Sequence, residues 1–582
     1  MTSVDHRSYI NSHSIQTIET DVVVVGGGVA GCLAVIGAAE AGARVVVCDK
    51  GGRLERAGSV GGGVDHFTAV LEEGPEWDTP QYFLKHIPAH TEGVTDIEVV
   101  ERLVYGLKPM VHLLEEIGVD FRDPENPEVK YYRHRAFGLP GKYQINFDGT
   151  NFKHIIGRAA RRTGAKVLER TMVADLIMEG ELPKGIVTFN IRDGTVYLIM
   201  ARAVVLATGD ANRIGKNASG HPFDSWHFPY NTGDGRAMAL RIGARLANME
   251  FVDSTVSPKG YSTQGLNAFV GAGAHFINAR GERFMFKYHP SGERGRRADL
   301  INGLITETLE GRSPIYCDCT HLPQDEVQRL VNTLGVDRPA LPDFFAQKKI
   351  DLTKEPFEVC VTEIASVRGG EIFRGGGVHI DREGSSNVPG IFAAGECSTV
   401  SVGVASACVM GHLAGKNAAT FALSQPKTAP FTEEQRGDII DNLYRSLQIR
   451  EGIPPSAFED QVRSLVTDFV GYRREERQML KGLKGLRELR LLEPQMSVED
   501  YHGVMRAYEA RNIRSNAEAM AVSAIERRET RSGAAHVRVD YPETDNKNEV
   551  RIIMVEQVGD ELRAISRPTG LNPNPPQSEE FS

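Results

Sequence analysis

The sequence predicts an α/β protein: a parallel-sheet Rossmann domain, interrupted by an inserted α+β capping domain and followed by a helical domain. Three observations carry this. A β-branched run at 20–25 leads straight into a glycine-rich turn and a helix of small residues. Strand–turn segments of the same kind return at 203–209 and 390–396. From 431 to 531 the apolar residues fall instead at three- and four-residue spacing, the period of amphipathic helices.

TDVVVV (Thr20–Val25) is short and apolar, as a strand buried on both faces must be. It runs into Gly26-Gly-Gly28-Val29-Ala30-Gly31, then a small-residue helix, then a second strand, Arg44–Cys48, that ends in Asp49 and Lys50. Gly26 permits the tight turn, Gly28 lets a pyrophosphate reach the backbone, and Gly31 lets helix and strand pack closely. Asp49 accepts hydrogen bonds from a ribose. Val29 and Ala30 open the helix whose N-terminus favours the anion. AVVL (Ala203–Leu206) leads into Ala207-Thr208-Gly209, and GIFAAGE (Gly390–Glu396) precedes a second Gly- and Ala-rich helix start. A nicotinamide enzyme needs one such unit near its N-terminus. A chain that returns to its sheet twice resembles the glutathione-reductase-type FAD-binding domain. That resemblance implies FAD, with Gly395, Glu396 and Ser401 near its flavin end. ERAGSVGGGVDHF (55–67) then reads as backbone laid along the cofactor, through Arg56, Ser59, Val60, Gly61, Gly62 and Gly63.

The net charge of −10 argues against nucleic-acid or anionic-membrane partners, which favour a basic face. No apolar run is long enough to span a bilayer, and the polar N-terminus lacks a secretory core. Seven scattered cysteines form neither a disulfide framework nor a cluster motif; Cys317 and Cys319 are the only close pair. The expectation is a cytoplasmic protein with no metal or iron–sulfur centre of its own.

Further stretches resemble the fumarate reductase/succinate dehydrogenase flavoprotein superfamily. They are TGDGRAMA (232–239, containing Asp234), MEF (249–251), NARGERFM (278–285), and RETR (528–531) leading to DYP (540–542). The likeness spans roughly 20–560. Its nearer branch is the adenylylsulfate reductase α subunit, through RAGSVGGG (56–63) and WHFPYN (226–231). The resemblance implies non-covalent FAD, because Arg56 stands where succinate dehydrogenases carry a tethering histidine. The departures concern the substrate. The dicarboxylate-binding FHPTG stretch is replaced by VDSTVSPK (252–259), and the three remaining clamp positions hold Ile372, Gly403 and Ala407. A dicarboxylate needs paired cationic donors, so fumarate and succinate are not expected. PKGYSTQG (258–265) has no arginine nearby upstream, which argues against adenylylsulfate as well.

Four residues are catalytic candidates. Arg297, beside Arg294 and Arg296, is a charge stabiliser or proton donor, or else part of a solvated basic run. Arg374 and Arg368 flank a glycine-rich turn, and either can replace the missing histidine. His66 is an acid/base group or a structural histidine, and Trp226 borders substrate or fills core. The expected domains are FAD-binding (18–251 and 371–425), capping (252–370), helical (431–535), a C-terminal β segment (536–570) and a tail (571–582). From His536, the alternation of HVRVDYP (536–542) and NEVRIIMVEQV (548–558) predicts a terminal hairpin. The resemblance implies two-electron chemistry on a small organic substrate, with electrons exchanged through a ferredoxin-like iron–sulfur partner. The alternatives are a sulfur-compound reductase, an oxygen-using oxidase of the aspartate oxidase type, and a flavin-holding scaffold without turnover.

Overall fold

A computed structural model describes residues 15–135, 139–216, 228–261, 267–295, 297–337, 340–362 and 373–574. Trp226, Arg296, Arg368 and Ile372 lie outside the described residues, as does the end of the expected tail.

The four valines of Val22–Val25 are at most 4% exposed and form the middle strand of a five-stranded parallel sheet. Ala203–Leu206 and Val45–Asp49 flank it, with Val22 opposite both Ala203 and Val45. Ile391–Ala393 and Lys166–Glu169 complete the edges. Segments nearly two hundred and nearly four hundred residues apart thus end side by side, with their following turns at one end of the sheet. The helices Val29–Glu40 and Val404–Ser424 pack together against this sheet with their backbones touching. A Cβ added to Gly415 would sit 2.0 Å from the Ala34 carbonyl oxygen, and one on Gly411 2.5 Å from that of Ala30. The small-residue composition of both helices is therefore a packing requirement. Gly415→Val is expected to cost at least the ~1–3 kcal/mol of an overpacked core. Chemical unfolding of the variant against the parent measures this; an unchanged midpoint would contradict the contact.

A second sheet orders Ile15–Glu19, Val196–Met200, Leu182–Asn190 and Thr171–Glu179. A small three-stranded sheet places Gln144–Asn146 between His66–Thr68 and Tyr132–His134. The capping region has its own sheet, Val256–Pro258, Phe357–Val361, Ile315–Asp318 and His275–Ile277, over a separate apolar core.

Helices at Glu433–Leu443, Pro455–Leu465, Glu476–Arg490 and Tyr501–Glu526 make up the region read as helical. The last of these is buried on nearly every face rather than amphipathic. Its Glu509, Asn512, Asn516 and Glu518 are almost fully enclosed and bond to neighbouring elements. The hairpin corrects half of the sequence reading: NEVRIIMVEQV holds its first strand, while HVRVDYP supplies neither strand. The hairpin joins Arg551–Val558 to Glu561–Pro568 and pairs with Leu246–Ala247, whereas residues 536–540 make only isolated bridges. The alternation of HVRVDYP runs the wrong way for a strand: Arg538 is fully buried and Val539 is 54% exposed. The Arg538 guanidinium donates to Asp540 and to the Ala524 and Arg527 carbonyls, ending the helix above it instead of joining a sheet.

Candidate functional site

The glycine turn is fixed by contacts that no side chain would allow. Gly26 has φ +100°, and a Cβ there would lie 2.4 Å from the Ala207 carbonyl oxygen; one on Gly31 would lie 1.8 Å from that of Gly26. Asp49 accepts the Gly27 and Gly51 N–H groups, each at 2.6 Å, so its carboxylate holds the turn itself and keeps lone pairs for a hydroxyl. The helix Val29–Glu40 begins at Gly28 with no side-chain cap and no acid in its first turn, leaving its N–H groups to an anion.

The loop 55–67 lies against this turn. Gly58 has φ +80°, and its Cβ would be 2.9 Å from the Gly28 Cα, so backbone crosses backbone at the start of the helix Val29–Glu40. Gly63, at φ +118°, abuts Thr150 in the same way, while Gly62 has open space around it. Ser59 Oγ accepts from Asn231 Nδ2 at 3.2 Å. Arg56 is exposed, Gly61 half-buried, and Val60 packs at the edge of the core.

At the sheet's far side Thr208 Oγ1 accepts the Gly235 N–H at 3.0 Å and donates to Cys397 Sγ at 3.4 Å. Gly209 sits under Asn231, which donates to Asp210. Gly395, at φ +64°, rests on Ala30, and the Glu396 carbonyl accepts from the buried Arg236. Buried Ser401 accepts the Phe373 N–H through its carbonyl at 2.8 Å, and the helix Val404–Ser424 starts from Gly403 without a side-chain cap. Two uncapped helix N-termini and side-chain-free backbone between them suit FAD: one end accommodates a pyrophosphate, the other a charge building on a reduced flavin.

Lys50 and Asp234 face each other. Lys50 Nζ donates to Asp234 at 2.9 Å, Glu509 at 2.8 Å and Thr232 at 3.1 Å. Arg213 and Arg506 also bond Glu509. These groups fasten the C-terminal helix to the turn that follows Asp49.

The candidate arginines meet at another junction. Arg297 opens the helix Arg297–Leu309 and donates to the buried Asp253 at 3.1 Å. Arg374 is fully buried, lies 3.9 Å over the Phe251 ring, and donates to Ser532 Oγ at 2.8 Å. A Cβ on Gly533 would touch Ala298 at 2.9 Å, so both arginines flank the turn Ser532–Ala535. Asp253, Ser254, Arg297, Tyr472 and Ala535 line a small cleft there, where the Tyr472 hydroxyl donates to Ser254 at 2.6 Å. His66 is placed apart from this cleft, exposed on the small sheet and bonded to Asp65 at 2.6 Å. Sequence reasoning missed Asp253, Tyr472 and Ser532. The signal for Ser532 was RETR, read only as a family marker.

Behind the turn lies a buried arginine cluster. Arg527 bonds Glu250 and Arg531 grips Glu529 through two bonds. Arg474 donates to His536 Nδ1 at 2.5 Å. Burial, reinforced by Arg474, Arg527 and Arg538, holds the His536 imidazole well below its ordinary 6.5. Unfolding therefore takes up a proton whenever the pH is below 6.5, so stability is complete above that value and falls as pH drops. One such proton gives a slope of about 1.4 kcal/mol per pH unit. Denaturation midpoints from pH 7 downward should show this slope reduced in His536→Gln; equal slopes would contradict it.

Among the described residues no group of three or more His, Cys, Asp or Glu side chains is arranged to hold a metal ion, and no helix is long and apolar enough to cross a membrane. A family model described as an FAD binding domain matches residues 21–408, and one described as fumarate reductase flavoprotein C-term matches 459–579. Similar proteins include a subunit of the fumarate reductase (CoM/CoB) of Methanothermobacter marburgensis, 27% identical over 90% of this chain and 95% of that one. L-aspartate oxidase of Streptomyces coelicolor is 28% identical, over 94% and 93%. Among solved structures, adenylylsulfate reductase of Archaeoglobus fulgidus superposes with TM-score 0.83 at 22% identity, covering 96% of this chain and 97% of that one. E. coli quinol fumarate reductase gives 0.81 at 24%, covering 97% and 99%.

Proposed function

The chain belongs to the FAD-binding flavoprotein family that includes the fumarate reductase and succinate dehydrogenase subunits, and is an FAD-dependent oxidoreductase; from that premise we propose its substrate class and electron route. The substrate is a small organic molecule other than a four-carbon dicarboxylate, and electrons are exchanged with a separate iron–sulfur carrier.

One observation carries the substrate reading: Arg297 is paired with buried Asp253. The cleft thus offers a neutral pair where two carboxylates would need an excess of positive charge. The neighbouring positions reinforce this. Thr255 is bonded to Thr362 through its backbone, and Ser257 lies buried within the capping sheet. When bound, FAD supplies the two-electron acceptor or donor. Gly26, Gly28, Val29 and Ala30 would hold its pyrophosphate, Asp49 its ribose, Arg56 and Ser59–Gly63 its length, and Ala207–Gly209, Gly395, Glu396 and Ser401 its flavin end. Arg297 orients the substrate and moves the proton at its guanidinium. Asp253 fixes that guanidinium, and Arg374 supports the Ser532 turn behind it. The dispersal of the seven cysteines favours an iron–sulfur centre on another chain.

The test is an anaerobic titration of the FAD-loaded protein with succinate, and of its photoreduced form with fumarate. Neither is expected to change the flavin spectrum beyond dilution. Bleaching by succinate, or recolouring by fumarate, would overturn the substrate reading. Non-covalent attachment has its own check: acid precipitation should release all the yellow colour, and flavin left on the denatured chain contradicts it.

A further inference from the structure

Lys153 is a buried cation with no carboxylate beside it. It is 1% exposed and stands in the first turn of the helix Phe152–Arg162. Its ammonium donates to the Leu54 carbonyl and, at 3.4 Å, to Cys32 Sγ. Among the described residues no carboxylate oxygen lies within 4.0 Å of it. The acids of this corner are engaged elsewhere: Glu55 is bridged by Arg161, and Asp49 accepts the Gly27 and Gly51 N–H groups. The placement is unfavourable twice over. Taking an unpaired ammonium out of water is costly, and the positive end of its own helix repels it. Asn151 caps that helix without a side-chain bond, and no acid sits in its first turn.

The relief for this charge lies across the glycine turn. Cys32 Sγ donates in its turn to the Gly27 carbonyl at 3.5 Å, so one thiol separates the ammonium from the turn fitted to a pyrophosphate. Leu54, whose carbonyl takes the ammonium, also packs under Gly27: a Cβ there would lie 2.6 Å from the Leu54 Cδ1. The helices Val29–Glu40 and Phe152–Arg162 pack together here, both without an acid in the first turn. Gly63, in the loop laid along the cofactor, abuts Thr150 just ahead of the second of them. Two helix N-termini and a buried ammonium gather positive potential that only an anion balances. A base, a sugar or a flavin ring brings no such charge.

We propose that Lys153 is the buried counter-charge of the FAD pyrophosphate, acting through the glycine turn from beneath. It is a positioning residue that favours a pyrophosphate-bearing dinucleotide over its uncharged parts, and the low dielectric of the interior carries its field across the turn. This rests on the placement of the pyrophosphate at Gly26–Ala30.

The experiment titrates the full FAD-free chain with FAD, ADP and adenosine by calorimetry, and follows FAD release from the loaded chain by the rise in flavin fluorescence. Lys153→Met should weaken FAD and ADP by about 10- to 100-fold, speed FAD release by a similar factor, and leave adenosine unchanged. Lys153→Gln keeps a donor for the Leu54 carbonyl and removes only the charge, so it should do the same. Lys166→Gln, which removes an exposed lysine from the edge strand Lys166–Glu169, should change none of these. The urea midpoint of the FAD-free chain should not fall in Lys153→Met, because the Leu54 carbonyl keeps the Ala57 N–H and an unpaired buried charge has gone. Variants that hold FAD and ADP as tightly as the parent overturn the counter-charge while the pyrophosphate placement stands. Equal losses for ADP and adenosine, or a loss in Lys153→Met that Lys153→Gln restores, make Lys153 a structural donor and overturn it as well. A parent that binds adenosine as tightly as ADP overturns the pyrophosphate placement and the counter-charge together.

Discussion

Arg297→Ala is expected to slow flavin reduction by ~10²–10⁴-fold, the range for losing a positioned proton-transfer group. The readout is the rate of anaerobic bleaching by whichever compound in a small-metabolite screen reduces the parent flavin. Affinity for FAD should not change, since Arg297 lies on the capping helix and bonds Asp253 rather than the glycine turns. Asp253→Asn should give a smaller loss, because the guanidinium survives and only its anchor weakens. A rate for Arg297→Ala close to that of the parent would remove Arg297 from the chemistry and make the pair structural.

The second large effect is on folding. Lys50→Met removes the cation shared by Asp234 and Glu509, both nearly or fully buried, at the joint between the FAD domain and the helix Tyr501–Glu526. Breaking a buried pair from one side costs ~3–5 kcal/mol, and Arg213 and Arg506 offset part of that at Glu509 but not at Asp234. Burial pushes the Glu509 carboxyl up, yet Lys50, Arg213 and Arg506 together hold it down to about 2. Its folded pKa lies below its unfolded one, so its contribution is present above pH 4.5 and lost as pH falls from there toward 2. Urea denaturation should show Lys50→Met destabilised at neutral pH, with the gap to the parent narrowing in acid. A midpoint equal to the parent's would contradict the role given to this joint.

What the sequence disclosed followed from how local each signal is. The Rossmann unit was legible because strand, turn, helix and acid lie within one stretch; of the glycines of 55–67, Gly58 and Gly63 make the close backbone approach that bare backbone marks, and Gly62 does not. Lys50 was harder to read. Its position beside Asp49 suggested a cofactor contact, whereas its partners Asp234 and Glu509 come from remote parts of the chain. The same holds for Arg374, whose bond to Ser532 joins segments that only the fold brings together. One arm of the C-terminal hairpin was misplaced because alternation usually signals a strand, and here the inward residues were His536 and Arg538, the arginine satisfied by Asp540 and by helix-end carbonyls. Asp253 was not legible because the loss of FHPTG says nothing about which residue pairs with Arg297, 44 positions further on.

The chain is an FAD-dependent oxidoreductase, for which we propose an electron route through another protein. Its most direct test is to photoreduce the FAD-loaded protein, mix it with air-saturated buffer, and follow flavin colour and peroxide together. Slow recolouring in air is expected, becoming fast when an oxidised two-cluster ferredoxin is added. Prompt recolouring in air alone, with peroxide formed in step with the flavin, would contradict it and identify an oxidase.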